Sequence, residues 1–190
     1  GFKKTVQLVS YAPHFISTVV MVGLILQFFD QRSGILNMLI NALGGESVYF
    51  MAKAEYFRPI YVWSGVWQGV GYSSIIYIAA LSGISPELHE AAIVDGANIL
   101  KRIWHVDLPG IAPTISILLI MSCGSILSVG YEKIYLLQNS LNLDVSEVIS
   151  TYVYKIGVLQ FSYSYSTAVG LFNSVVNLAM LLIVNTVSDR

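Results

Sequence analysis

The sequence predicts an all-α, polytopic transmembrane helix bundle, and three observations predict it. Of the 190 residues, 55% are hydrophobic and only 11% charged, with a mean hydropathy of +0.69, a composition that does not describe a soluble domain. The charges fall in short clusters separated by four uncharged runs, residues 5–29, 59–86, 108–131 and 156–188. Each run exceeds the roughly 20 residues a helix needs to cross a hydrocarbon core at about 1.5 Å per residue. Third, Tyr49, Phe50, Tyr56, Phe57, Tyr61 and Trp63 cluster where the second run begins, which is where amphipathic rings settle at headgroup level.

In chain order, the first span is expected at 11–29. The connection 30–58 holds a short apolar stretch, 34–45, closed by Gly44 and Gly45; it is too short to cross and is expected to lie along the interface. The second span is expected at 59–81. Within it, Gly65 and Gly69 sit four apart and open one face to close approach by a neighbour. Gln68 and Tyr72 form a polar pair one turn apart, which either lines a translocation path or joins helices. The connection 82–110 follows, then a third span at 111–131, a connection at 132–165 and a fourth span at 166–187. Asn173 and Asn177 form the same kind of pair in the fourth span, because buried amides must find partners inside a bilayer. One transmembrane domain over 1–190 is expected. The opening Gly1-Phe2-Lys3-Lys4 reads as the start of an internal piece of a longer protein, with no secretory signal.

Four spans put both ends and the 82–110 connection on one side. Lys3, Lys4, Lys101, Arg102 and Arg190 on that side balance Arg32, Lys53, Arg58, Lys133 and Lys155 on the other. The excess of positive charge that marks a cytoplasmic face therefore gives no decision. A net charge of −1 offers no basic surface to a nucleic acid. The single cysteine, Cys123, lies inside an uncharged run and excludes an internal disulfide or a cysteine-based metal site.

The most organised stretch is 85–109. Ser85 before Pro86 is a helix start, with the hydroxyl expected to cap free N–H groups and the proline at the first helical position. Glu87 and Glu90 lie in the first turns, where the helix dipole favours negative charge. A short helix is therefore expected over 86–94. Asp95-Gly96 signals a turn, and Ile99, Leu100, Ile103, Trp104 and Val106 then recur at helical spacing until Leu108-Pro109. Two adjacent alanines, Ala91 and Ala92, leave room for another surface, and Glu90 and Asp95 offer it charge. This has the character of a docking element.

Glu90-Ala91-Ala92, three residues, Gly96, nine residues, then Val106-Asp107-Leu108-Pro109 is similar to the EAA loop of permease subunits in binding-protein-dependent ABC importers; only Val106 departs from the isoleucine of that pattern. Residues 11–17, 84–97, 151–154 and 163–172 resemble the sugar-importing branch, particularly its polysaccharide-type permeases. The resemblance implies a MetI-like permease core of about six helices, of which four are expected here, in the cytoplasmic membrane of a bacterium. It implies that 82–110 is cytoplasmic and inserts as a coupling helix into a cleft on an ATPase. In that role Glu90 faces a basic residue, Ala91 and Ala92 permit close packing, Gly96 makes the bend, and Asp95, Ala97, Leu108 and Pro109 complete the element. The implied partners are a dimer of ABC ATPases, a second, non-identical permease, an extracytoplasmic solute-binding protein, the lipid bilayer and a sugar. No cofactor is expected on this chain, since ATP would be bound by the partner.

Rival classes find less support. His89-Glu90-Ala91-Ala92-Ile93 begins like the His-Glu-x-x-His zinc motif, but isoleucine stands where the second ligand belongs, and His14 and His105 lie elsewhere. No phosphate-binding Gly-x-x-x-x-Gly-Lys loop is present. An ion-coupled secondary transporter or channel subunit is the alternative reading. Such proteins place ionisable residues inside the membrane, and the four runs contain no Asp, Glu, Lys or Arg.

Overall fold

The structure is a computed structural model that describes residues 2–188. Gly1 and Arg190, the latter part of the charge balance above, lie outside them. Every regular element among the described residues is helical. The chain divides into two compact units, Gly1–Gly71 with Leu127–Asn173, and Tyr72–Ile126 with Ser174–Arg190. The single domain read from sequence is thus built from two units.

In the first unit, α1 (Phe2–Tyr11) runs into a 3-10 turn, Ala12–Phe15, and α2 (Thr18–Phe28) follows. The two helical stretches meet at 99°. The continuous span expected over 11–29 is therefore broken. Pro13 sits in the 3-10 turn, Ile16 is extended at φ −74° and ψ 126°, and Ser17 restarts the helix by accepting the Val20 N–H at 3.4 Å. A proline that withholds an N–H, followed by a serine cap, suffices to break the ladder. Gln68 Nε2 donates to the Ile16 carbonyl at 2.8 Å, satisfying an acceptor in the break.

The connection 30–58 is folded. Its helix α3 (Ile35–Ala42) ends at Gly44, whose φ of +83° takes the left-handed conformation. Asn37 is fully buried; its amide donates to the carbonyls of Asp30 and Val48 and accepts the Val48 N–H, all within 3.0 Å. One side chain thereby pins both ends of the loop. The next helix, α4 (Ala54–Ser82), carries Pro59 in its second turn.

Met21, Val22 and Ile25 of α2, Phe50 and Met51 of the loop, and Phe57 and Ile60 of α4 are buried together with Ile134 and Leu137 of α8 (Tyr131–Leu137). The chain then turns through α9 (Leu143–Ser146) into α10 (Ile149–Tyr154) and a π-turn, Lys155–Leu159. Asn142, fully buried, donates to the Met51 and Leu137 carbonyls at 3.1 and 3.2 Å. Tyr154 stacks on Tyr131 with ring centres 5.2 Å apart. The residues 127–159 form a packed cap rather than an open loop.

The second unit holds the C-terminal part of α4, α5 (Pro86–Val94), a continuous helix over Ile99–Cys123, and the C-terminal part of α11 (Tyr163–Ser188). The long helix comprises α6 (Ile99–Arg102), a π-turn (Ile103–Asp107) and α7 (Leu108–Cys123). Its side chains are mostly exposed, among them Ile117, Leu119 and Met121, with Ile111 buried. Apolar side chains turned outward along such a helix suit lipid.

Among the described residues two helices have the length and hydropathy to cross a membrane, Ile99–Cys123 and Tyr163–Ser188; the bent pair gives a third if it counts as one span. The second expected span, in α4, is long enough at 29 residues, but Gln68, its serines and its glycines lower its hydropathy. The third span begins earlier than 111 and stops at Cys123 rather than 131. Past Cys123, Ser125 Oγ turns back onto the carbonyls of Met121 and Ser122, competition with the helical ladder that favours an ending.

Candidate coupling site

The loop between α4 and α7 is a helix, a turn and a second helix. α5 spans Pro86–Val94 as expected. Ser85, however, caps it with its backbone carbonyl, which accepts the Leu88 N–H at 3.2 Å, and makes no side-chain cap. Proline at the first position already removes one orphan donor, so the hydroxyl is not needed there.

The C-terminus of α5 is closed by a Schellman motif: the Ala97 N–H reaches the Ala92 carbonyl at 2.9 Å and the Gly96 N–H reaches Ile93 at 3.0 Å. This geometry requires a left-handed residue, and Gly96 has φ +75°. Asn98 then caps α6, its Oδ1 accepting the Lys101 N–H at 2.9 Å. The turn 95–98 is fixed by backbone chemistry at both ends.

The return helix is shaped by Pro109. It cannot donate to the His105 carbonyl, and its ring would crowd that residue. The helix widens there into the π-turn, in which the Leu108 N–H bonds to Ile103 instead of Trp104. Leu108 is half-buried where the π-turn meets α7. His89 Nε2 lies 3.4 Å from Asp107 Oδ1, clamping α5 onto the π-turn. At the base, Gly110 brings the backbone so close to Ile84 that a Cβ would lie 2.7 Å from Ile84 Cδ1. The His89–Asp107 clamp is not legible in the sequence, because the partners are distant in the chain and neither belongs to the repeating apolar pattern.

The surface of this hairpin is apolar with isolated charges. No residue of α5 is buried. Leu88, Ile93, Val94, Leu100 and Trp104 are all more than half exposed, Val94 at 87%. Beside the turn, Ile93, Ala97, Ile99, Leu100 and Arg102 line an open groove of about 600 Å³. Glu90, Ala91 and Asp95 are exposed and Ala92 is half-buried. Among the described residues no cation lies within ion-pair distance of Glu90 or Asp95. A small-residue notch beside unneutralised carboxylates and uncovered aliphatic side chains has the character of an interface lacking its other half.

The candidate path residues are placed on two helices. Gln68 and Tyr72 lie one turn apart on α4, and Asn173 and Asn177 one turn apart on α11. Gln68 is engaged by the Ile16 carbonyl, so it joins α4 to the α1–α2 break. Tyr72 and Asn177 are engaged as well. Asn173 differs: its Oδ1 is buried without a hydrogen-bond partner.

The family described as the binding-protein-dependent transport system inner membrane component matches residues 2–190. The chain is 42% identical over 189 residues to Protein LplB of Bacillus subtilis (strain 168), covering 100% of this chain and 59% of that protein. It is equally similar, 42% over 189 residues with the same coverage, to the polygalacturonan/rhamnogalacturonan transport system permease protein YteP of that organism. It therefore spans about three fifths of these relatives' length. Among solved structures, a bacterial ABC transporter involved in the import of the acidic polysaccharide alginate contains a chain matching at a TM-score of 0.96 and 43% identity, over 100% of this chain and 66% of that one. The same transporter in complex with alginate pentasaccharide-bound periplasmic protein matches at 0.95 and 42%, over 99% and 65%. With the family pattern spread over the whole chain and the loop folded as above, this chain belongs to the inner membrane components of binding-protein-dependent transport systems.

Proposed function

We propose that this chain forms part of the permease of an ATP-driven importer that carries an oligosaccharide or polysaccharide fragment across the cytoplasmic membrane. The observation that carries this reading is the hairpin at 85–109, an uncovered apolar surface with Glu90 and Asp95 unneutralised. Its occupant is a cleft on a cytoplasmic ATPase, with ATP bound and hydrolysed there and not on this chain. A second, non-identical permease completes the path. The connections 30–58 and 132–165 are extracytoplasmic in this reading and face the solute-binding protein. The polygalacturonan/rhamnogalacturonan transport of YteP and the alginate import of the solved transporter support a carbohydrate cargo.

Mechanically, the hairpin suits a lever. Its turn is locked by the Schellman motif and Asn98, its arms are clamped by His89 and Asp107, and its return arm continues into a 25-residue helix about 37 Å long. Force applied at Glu90 and Ala91 is transmitted as rigid-body motion rather than absorbed by a soft loop. Glu90 accepts a hydrogen bond from a cation of the ATPase, and the alanines set how closely the two backbones approach. The absence of Asp, Glu, Lys and Arg from the four runs argues against the ion-coupled alternative.

The test introduces single cysteines at 90–96 in a Cys123→Ser background of the full-length permease, assembled with its partners. Nucleotide-dependent crosslinks to the ATPase confined to these positions, with uptake lost by a factor of about ten or more in Glu90→Lys, are the expected result. An intact complex in which no position crosslinks would refute the coupling role.

A further inference from the structure

Along α4, Arg58, Tyr61, Gly65 and Gln68 recur every three to four residues and so share one face. Near its N-terminal end, Lys133 of α8 lies across this face. Its ammonium is 5.2 Å from the centre of the Tyr61 ring, 3.4 Å from the Tyr61 carbonyl, and 3.7 Å from where a Cβ on Gly65 would stand. One turn further, a Cβ at Gly69 would meet nothing within 4 Å. The glycines therefore leave open space along the helix directly below the ammonium.

What Lys133 lacks is an anion. Among the described residues no carboxylate lies within 4 Å of Lys133 or of Arg58, although Glu132 and Glu55 are close in sequence. The same cap pairs its other lysine fully, Lys155 with Glu147 at 2.6 Å. An ammonium has three donors, and one long bond to a carbonyl and one ring face leave capacity unused. Burial pushes the Lys133 amine below the ordinary lysine value, the mark of a charge that its own surroundings solvate poorly.

We propose that Lys133, lying over the Tyr61 ring, and Arg58, on the same face of α4, form a station for the carboxylate groups of an acidic oligosaccharide at the outer end of α4. The inference rests on the importer reading above and narrows its cargo to uronic-acid chains. The ammonium receives a carboxylate in a charge-assisted bond, Arg58 attracts the chain from solvent, and the ring offers a face to the sugar's C–H groups. An anionic lipid headgroup shares the charge chemistry. The half-buried position over Gly65 and the open strip beside Gly69 suit an extended chain better than a headgroup held at the surface.

The experiment reconstitutes the full-length chain with its partner permease, ATPases and binding protein in phosphatidylcholine vesicles, which contain no anionic lipid. Uptake is compared for oligogalacturonate, its methyl ester of equal length and a neutral arabino-oligosaccharide. The expected result is that Lys133→Met lowers the ratio of acidic to esterified uptake about tenfold, the worth of one charge-assisted hydrogen bond. Lys133→Arg restores most of the ratio, and Arg58→Gln lowers it less and in a salt-dependent way. An unchanged ratio in Lys133→Met would overturn the proposal, as would equal loss on every sugar, the signature of a packing role. A defect that appears only when anionic lipid is added would assign the ammonium to a headgroup and overturn it too. If the unaltered complex takes up only the neutral sugar, the importer reading stands and the acidic station falls; if it takes up none, the importer reading itself has failed.

Discussion

Gly96 shows how one residue sets the geometry of the hairpin at 85–109. Its φ of +75° is strained for any residue with a Cβ, and a Cβ there would meet nothing within 4 Å. The requirement is therefore conformational rather than steric packing. Gly96→Val is expected to cost about 1–2 kcal/mol of local stability and to open the turn. ATPase stimulation by loaded binding protein would then drop while assembly persists; full coupling in that variant would show that the turn is not needed. Other residue roles were legible in part. Glu90, Ala91, Ala92 and Asp95 stand out by type and order; the structure places the first three exposed or half-exposed on α5 and Asp95 exposed at its C-terminal cap. Ser85 was expected to cap through its hydroxyl and does not, because cap propensity states what a side chain can do and not which donor remains free.

At the scale of the element, the π-turn before Pro109 matters most. A pattern of apolar residues at helical spacing predicts a helix, but it does not reveal an extra residue inserted into one turn. That widening follows from the missing N–H of Pro109 and rotates everything upstream relative to α7. Pro109→Ala returns a donor to the His105 carbonyl, so the turn can relax toward a regular helix. The expected outcome is unchanged or higher thermal stability with impaired coupling, read as nucleotide-dependent crosslinking from position 90; unchanged coupling would mean that the π-turn does not set the hairpin's orientation. The break between α1 and α2 has a similar origin. The uncharged run 5–29 reads as one span by hydropathy, yet Pro13 and Ser17 divide it, and only the placement of Gln68 shows where the Ile16 carbonyl is satisfied.

At the scale of the molecule, the connection 30–58 and residues 127–159 form a cap around buried amides. Asn142→Ala would leave the Leu137 carbonyl without its side-chain donor and weaken the hold on Met51, which Asn139 also contacts. A loss of about 1–3 kcal/mol is expected, visible as faster hydrogen exchange across 131–146 with the hairpin unaffected; exchange unchanged there would show that the hydrophobic cluster alone holds the cap. By itself the sequence determined the helical class, the lipid-facing character of the chain and the helix–turn–helix at 85–109, because hydropathy, proline, glycine and the EAA pattern are local properties. Tertiary structure alone decided the division into two units, the early end of the third span, the His89–Asp107 clamp and the position of Lys133 over Gly65. Each of these depends on which distant backbone or side chain reaches a given group, and local spacing carries no record of that.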